Sequence, residues 1–155
     1  MAATAPSIPR SRGAVRSMAA VVLFLLIAQF LLGMAINLFV RISRSHPGAN
    51  ADYFGGAAAS LRWVGTNGEI WLRVHAALGA LLLLAALVLL VRSIIAGGRG
   101  PIVTSSLGLF GIFSAAGNGA SFLVYAEDFS SMLMSAGFAL AVAAYAVAVM
   151  RPVSD

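Results

Sequence analysis

The stretch RVHAALGALLLLAALVLLVR, residues 73–92, decides the fold class of this chain. Between its two terminal arginines it carries no charged side chain, and its only polar side chain is that of His75. An α-helix rises 1.5 Å per residue, so roughly 20 residues of this kind cross a hydrocarbon core of about 30 Å. The stretch therefore predicts a transmembrane helix.

Three other segments are apolar and long enough to span a bilayer. We predict membrane-spanning helices over residues 18–41, 70–92, 102–125 and 129–150. The composition agrees, because only 10% of the residues are charged, whereas a soluble domain carries about 25%. The predicted fold is all-α, an integral membrane four-helix bundle with up-down-up-down topology.

The arginines predict the orientation of the bundle. With four spans both termini share one side, which carries six arginines and one acid against four arginines and four acids on the other side. Excess arginine marks the cytoplasmic side. We therefore expect cytoplasmic termini, a flexible cytoplasmic tail over residues 1–17, an outer loop over residues 42–69, and a multi-pass protein of the bacterial inner membrane.

The same arginines bear on the partners of the protein. They flank apolar runs and form no basic face, so the net charge of +5 indicates topology, and nucleic acid is not expected to bind. The expected partners are the lipid bilayer and either other membrane subunits or further copies of the chain.

Polar and small residues recur along one face of each of two predicted helices, as buried positions of membrane helices favour. In the first helix the recurring residues are Gln29, Gly33, Asn37 and Arg41. In the third they are Gly111, Ser114, Asn118, Ser121 and Tyr125, spaced by three and four residues. We expect these faces to line the bundle interior.

Asn37, His75 and Asn118 lie at a similar predicted depth below the outer boundary, so they predict a polar layer inside the bundle. Ser135 of the fourth helix lies at the same depth. Five residues would lie above the layer: Arg41, Arg73, Tyr125, Glu127 and Asp128. The predicted binding site takes the three residues of the layer other than Ser135, together with Arg41, Tyr125, Glu127 and Asp128. The alternative is structural, with Asn37 and Asn118 joining two helices and the arginines pairing with the acids or extending to the interface.

Three ligands are chemically compatible with this layer. A quinone or lipid headgroup would contact His75, Tyr125, Arg41 and Asn118. Haem b would take His75 as an iron ligand, with Met34, His46 or another subunit as the second ligand. A metal ion on His46, His75, Glu127 and Asp128 lacks any supporting local spacing. The cofactor therefore remains open.

Catalysis is less favoured than binding. The chain has no G-x-S-x-G elbow, no phosphate-binding glycine motif and no cysteine. We therefore expect an accessory or scaffold subunit with an outward-facing polar site for a lipid- or quinone-like ligand or a partner helix. The alternative is a redox protein that holds haem b through His75.

Two resemblances accompany these patterns. Residues 73–92 resemble the haem-carrying helices of the haem A synthase and membrane cytochrome b type, which implies haem at His75, although those proteins pair histidines from two helices. The segments SHPGANADYF, HAALG and GNGASFLVYAEDFSS are similar to those of small four-helix bacterial integral membrane proteins with no assigned activity. That resemblance implies the four-helix architecture and no reaction.

Overall fold

The computed structural model describes residues 9–151, with side chains from Arg12 onward. Of these residues 86% are helical, and none of them lies in a strand. The elements are α1 (Pro9–Phe39), α2 (Tyr53–Asn67), α3 (Ile70–Ala96), α4 (Arg99–Tyr125) and α5 (Asp128–Met150). The all-α class predicted from the sequence is confirmed.

Four of the described helices are long and apolar enough to cross a membrane. They are α1 from Arg12, α3, α4 and α5, with 23 to 28 residues in each apolar segment. Large apolar side chains such as Phe24, Phe39 and Ile95 are exposed on their outer surfaces. These features fit a multi-pass membrane protein in contact with lipid.

The four long helices form a closed ring in which α1 packs on α3 and α5, and α4 packs on α3 and α5. Two-residue connections, Gly97–Gly98 and Ala126–Glu127, join α3 to α4 and α4 to α5, so these neighbours run antiparallel. We call the end with α2 the α2 end. The opposite end, with Arg12, Arg16, Gly97–Pro101 and Arg151, is the arginine end.

The α4–α5 contact is the closest in the bundle because small residues face each other. A Cβ atom built on Gly111 would lie 2.6 Å from the carbonyl oxygen of Gly137, and one on Gly137 would lie 2.7 Å from that of Gly111. Beside them the ring of Tyr145 rests directly on Gly108. Interfaces of this kind bring membrane helices together by van der Waals packing.

The apolar core has two parts. The larger lies toward the arginine end and holds fully buried Val22, Leu82, Leu89 and Tyr145. The smaller lies at the α2 end, where Ile36 of α1, Val64 of α2 and Leu72 of α3 meet. The second part fixes α2 onto the bundle.

Two element boundaries differ from the predicted segments. Helix α1 begins at Pro9, so residues 9–17 continue the helix and are not an irregular tail; residues 1–8 lie outside the described residues. Within the outer loop predicted over residues 42–69, α2 covers Tyr53–Asn67. Asp52 begins this helix early by accepting a hydrogen bond from the Gly55 amide, 2.9 Å, as an N-cap.

Candidate ligand site between α1 and α3

His75 of α3 pairs with Gln29 of α1. The Gln29 amide nitrogen Nε2 lies 3.2 Å from His75 Nε2 and 3.1 Å from the His75 carbonyl oxygen. A carbonyl only accepts hydrogen bonds, so Nε2 of Gln29 must be the donor of the second contact. The same amide nitrogen also donates to His75 Nε2, so that ring nitrogen is an acceptor. A neutral imidazole therefore carries its proton on Nδ1.

Two glycines make room for this pair. A Cβ atom on Gly33 of α1 would lie 3.1 Å from His75 Cε1, and one on Gly79 of α3 would lie 3.3 Å from Gln29 Nε2. Each polar side chain therefore lies over a glycine of the opposite helix. Because Gln29 and Gly33, like His75 and Gly79, are four residues apart, each pair shares one helix face.

The pair has unused hydrogen-bonding capacity. Gln29 Oε1 and His75 Nδ1 are buried, and neither has a hydrogen-bond partner among the described residues. One is an acceptor and the other, in the neutral tautomer derived above, is a donor. Leaving a polar group without a hydrogen bond in an apolar environment costs on the order of several kcal/mol. Such atoms therefore mark a place where a polar ligand atom is favoured.

The predicted polar layer is distributed differently from the sequence-based expectation. Asn37 is exposed on α1, two turns beyond Gln29. Asn118 is half-buried, and its Nδ2 donates to the Ser114 carbonyl of its own helix, 2.8 Å. Ser135 likewise bonds to the Ser131 carbonyl of its own helix. His75 thus meets Gln29 and not Asn37. The residues of α1 that lie level with His75 are one to two turns farther from the outer end of the helix than equal distance from the helix ends predicts.

The remaining predicted site residues lie at the α2 end, away from a common centre. Arg41, Glu127 and Asp128 are exposed, and Tyr125 is half-buried. Arg73 uses its Nε to donate to the Gly68 carbonyl, 2.6 Å, and no ion pair with Glu127 or Asp128 is present among the described residues. Asp128 is in the first turn of α5, where a negative charge is favoured by the helix dipole.

His46 serves the outer loop. It is buried and stacks on Trp63, with ring centroids 4.7 Å apart. Its Nε2 lies 3.0 Å from the Leu123 carbonyl and its Nδ1 3.0 Å from that of Pro47. Both ring nitrogens are therefore occupied by oxygens of the chain, and Met34, the other intrachain candidate for a second haem ligand, is an exposed side chain of α1.

The loop around His46 covers the end of α4. The last carbonyls of a helix lack partners within it. Here Leu123 O faces His46, and Val124 O accepts from the Asn50 amide, 2.9 Å. Tyr53 of α2 adds a bond from its hydroxyl to the Gly117 carbonyl, 3.0 Å. The loop and α2 are thus held on α4 by main-chain acceptors that no sequence motif reveals.

The hydroxyl oxygens of Ser60 and Tyr145 are also buried without a partner among the described residues, each as a single atom and not as a donor–acceptor pair. No group of three or more His, Asp or Glu residues suited to a metal ion occurs within residues 9–151. Near the arginine end, buried Ser93 and Ser105 share a hydrogen bond of 2.8 Å between α3 and α4. The interior toward that end therefore contains a polar pair whose hydroxyl groups are hydrogen-bonded.

The fold and site place the chain in the class of all-α proteins whose helices fit a multi-pass membrane topology. Comparison with protein-family models, curated proteins and solved structures found no match. The functional argument therefore rests on the residues themselves.

Sequence reasoning located His75 but not its partner. The spacing places Gln29 and Gly33 on an interior face, but equal distance from the helix ends favours Asn37 as the residue level with His75. The usable signal was the four-residue spacing shared by Gln29–Gly33 and His75–Gly79, which allows two polar side chains to lie reciprocally over two glycines.

Proposed function

We propose that this chain is a polytopic protein of the bacterial inner membrane that acts by binding, as an accessory or scaffold subunit. Its ligand is an apolar molecule that carries a carbonyl or similar acceptor, as quinones and lipid esters do. The observation that carries the proposal is the Gln29–His75 pair, with a buried Nδ1 and a buried Oε1 that have no partner among the described residues.

The proposed recognition follows from the hydrogen-bonding roles. With Nε2 of His75 accepting from Gln29, the Nδ1–H group donates to a ligand carbonyl. Gln29 Oε1 accepts from a ligand hydroxyl, such as that of a hydroquinone. The apolar body of the ligand lies among the surrounding lipid-facing side chains, consistent with sites that combine apolar walls and a few polar groups.

The chain allows a direct test because it has only two histidines. The full chain is labelled with ¹⁵N-histidine, placed in lipid nanodiscs and titrated with a decyl-substituted benzoquinone. Decylbenzene, which has the same tail and no carbonyl, is the control ligand. We expect the quinone alone to shift the His75 Nδ1 resonance, with His46 unchanged as an internal reference.

Variants assign the shift to the site. Gln29→Leu removes the bond that fixes the tautomer and should abolish the response, whereas Ser135→Ala, which removes a hydroxyl bonded within α5, should leave it intact. Equal shifts from both compounds, or an unchanged His75, would contradict the proposal. So would a Soret band in protein from haem-sufficient cells that disappears in His75→Ala, because it would identify haem b as the ligand.

A further inference from the structure

A cavity of about 270 Å³ lies at the arginine end, opposite the His75 site. It is an open cavity lined by the start of α1, the turn between α3 and α4, and the end of α5. Its charged lining residues are Arg12, Arg16 and Arg151, and no acidic side chain of the described residues lines it. Three positive charges from two chain segments far apart in sequence thus face one small cavity.

The glycine turn shapes this cavity. Gly97 and Gly98 have φ values of 71° and 95°, in the region that glycine adopts without a steric penalty. Gly100 lies directly under the Arg151 guanidinium, and a side chain there would occupy the position of Arg151 Nη1. The absence of a side chain at Gly100 therefore leaves room for the Arg151 head group beside the cavity.

Two of the three arginines at this cavity lack an acidic partner among the described residues. Arg16 and Arg151 are exposed, and neither makes an ion pair with a carboxylate within the described residues. Like charges brought together repel one another, so an anion in the cavity would relieve that repulsion. The cavity volume is just below the roughly 300–1,000 Å³ of pockets for small organic ligands, which favours a compact group.

We infer that the arginine-end cavity binds a phosphate group. Arginine presents planar donors that match phosphate oxygens in pairs. The ends of membrane-spanning helices lie at the level of lipid headgroups, and basic pockets between helices bind anionic headgroups there. The source of the phosphate is either an anionic phospholipid or a free phosphate. This site is independent of the one proposed at His75.

Binding is measured by native mass spectrometry of the full chain in a neutral detergent. Phosphatidylglycerol is added in one series, phosphatidylcholine in a second, and inorganic phosphate in a third, alone and as a competitor. We expect phosphatidylglycerol to bind about tenfold or more tightly than phosphatidylcholine and to be displaced by inorganic phosphate. Binding of inorganic phosphate without a lipid preference supports the same site with a soluble source.

A matched pair of double variants separates the cavity from general surface charge. Arg16→Gln with Arg151→Gln removes two charges from the lining, and Arg92→Gln with Arg99→Gln removes two exposed charges that do not line the cavity. The first pair should lose the preference for phosphatidylglycerol, and the second should retain it.

The inference is overturned if both double variants lose the preference for phosphatidylglycerol equally. It is also overturned if the wild-type chain binds the two lipids equally and does not bind inorganic phosphate. Thermal unfolding of each variant verifies that it is folded. If the first pair does not fold, Arg16→Lys with Arg151→Lys keeps the charges and should retain the preference. In that case the inference is contradicted if inorganic phosphate neither binds the wild-type chain nor displaces phosphatidylglycerol from it.

Discussion

At the scale of residues, the pairing of Gln29 with His75 decides which polar side chains act together. The two share a hydrogen bond across α1 and α3, and each lies over a glycine of the other helix. The sequence suggested Asn37 and Asn118 as a pair. Asn37 instead lies on an exposed surface, and Asn118 donates to the Ser114 carbonyl of its own helix. Energetic coupling should therefore follow the first pair.

A double-mutant cycle tests this at the residue scale. We expect Gln29→Leu and His75→Leu to be non-additive in the free energy of unfolding, with a coupling of about 0.6 kcal/mol and at most about 1.7 kcal/mol, the range for hydrogen bonds between membrane helices. The measurement is unfolding in mixed micelles without added ligand. Asn37→Leu with Asn118→Leu is the control pair, and it should add within about 0.5 kcal/mol.

Coupling in the control pair and additivity in the test pair would show that Asn37 and Asn118 meet and that Gln29 and His75 do not. That result would also remove the geometric basis of the proposed ligand site, since the tautomer of His75 depends on Gln29.

At the scale of elements, the α4–α5 hairpin is the contact in which main chains approach most closely. Gly111 and Gly137 are each buried, and each faces the carbonyl oxygen of the other. The short connection between the third and fourth predicted spans indicates that these helices pack as antiparallel neighbours. It did not predict which glycines touch, because many glycine and alanine positions on both helices are compatible with close packing.

A pair of glycine substitutions separates a packing role from an intrinsic helix effect. Gly111→Ala places a methyl group 2.6 Å from the Gly137 carbonyl oxygen and should destabilise the fold by about 1–3 kcal/mol through overpacking. Gly65→Ala, in α2 with open space around its Cα, should stabilise by up to about 1 kcal/mol because alanine favours a helix. Unfolding free energies in the same detergent give both values.

A stabilising effect of Gly111→Ala would mean that α4 and α5 are farther apart than described here. Equal destabilisation by both substitutions would indicate that helix propensity is not the governing term at Gly65.

At the scale of the whole molecule, charge and polarity are distributed unequally between the two ends. Four of the five acids lie on the α2 side, and six of the ten arginines on the other. By the positive-inside rule the arginine end should face the cytoplasm. The ligand site proposed at His75 then lies in the outer half, and the arginine cavity lies at the cytoplasmic headgroup level.

Reporter fusions test that orientation in living bacteria. A fluorescent protein that folds only in the cytoplasm should be bright when fused after Asp155, and alkaline phosphatase should be active when inserted into the loop after Ser45. Alkaline phosphatase fused after Asp155 is the matched control and should be inactive. Active phosphatase at that position would reverse the orientation and place the arginine cavity outside the cell.

The sequence by itself determined the helical class, the four apolar segments and the place of His75 within one of them. These follow from local properties: the length of apolar runs, the spacing of arginines, and the rarity of an ionisable side chain among leucines. The tertiary structure decided the partner of His75, the covering of α4 by the His46 loop, and the gathering of three arginines around one cavity. Such features depend on how far each helix is shifted and rotated against its neighbours. Packing of opposed glycines and main-chain hydrogen bonds set those quantities. Main-chain hydrogen bonds leave no mark in the sequence, and a four-residue spacing of glycines is compatible with several registers.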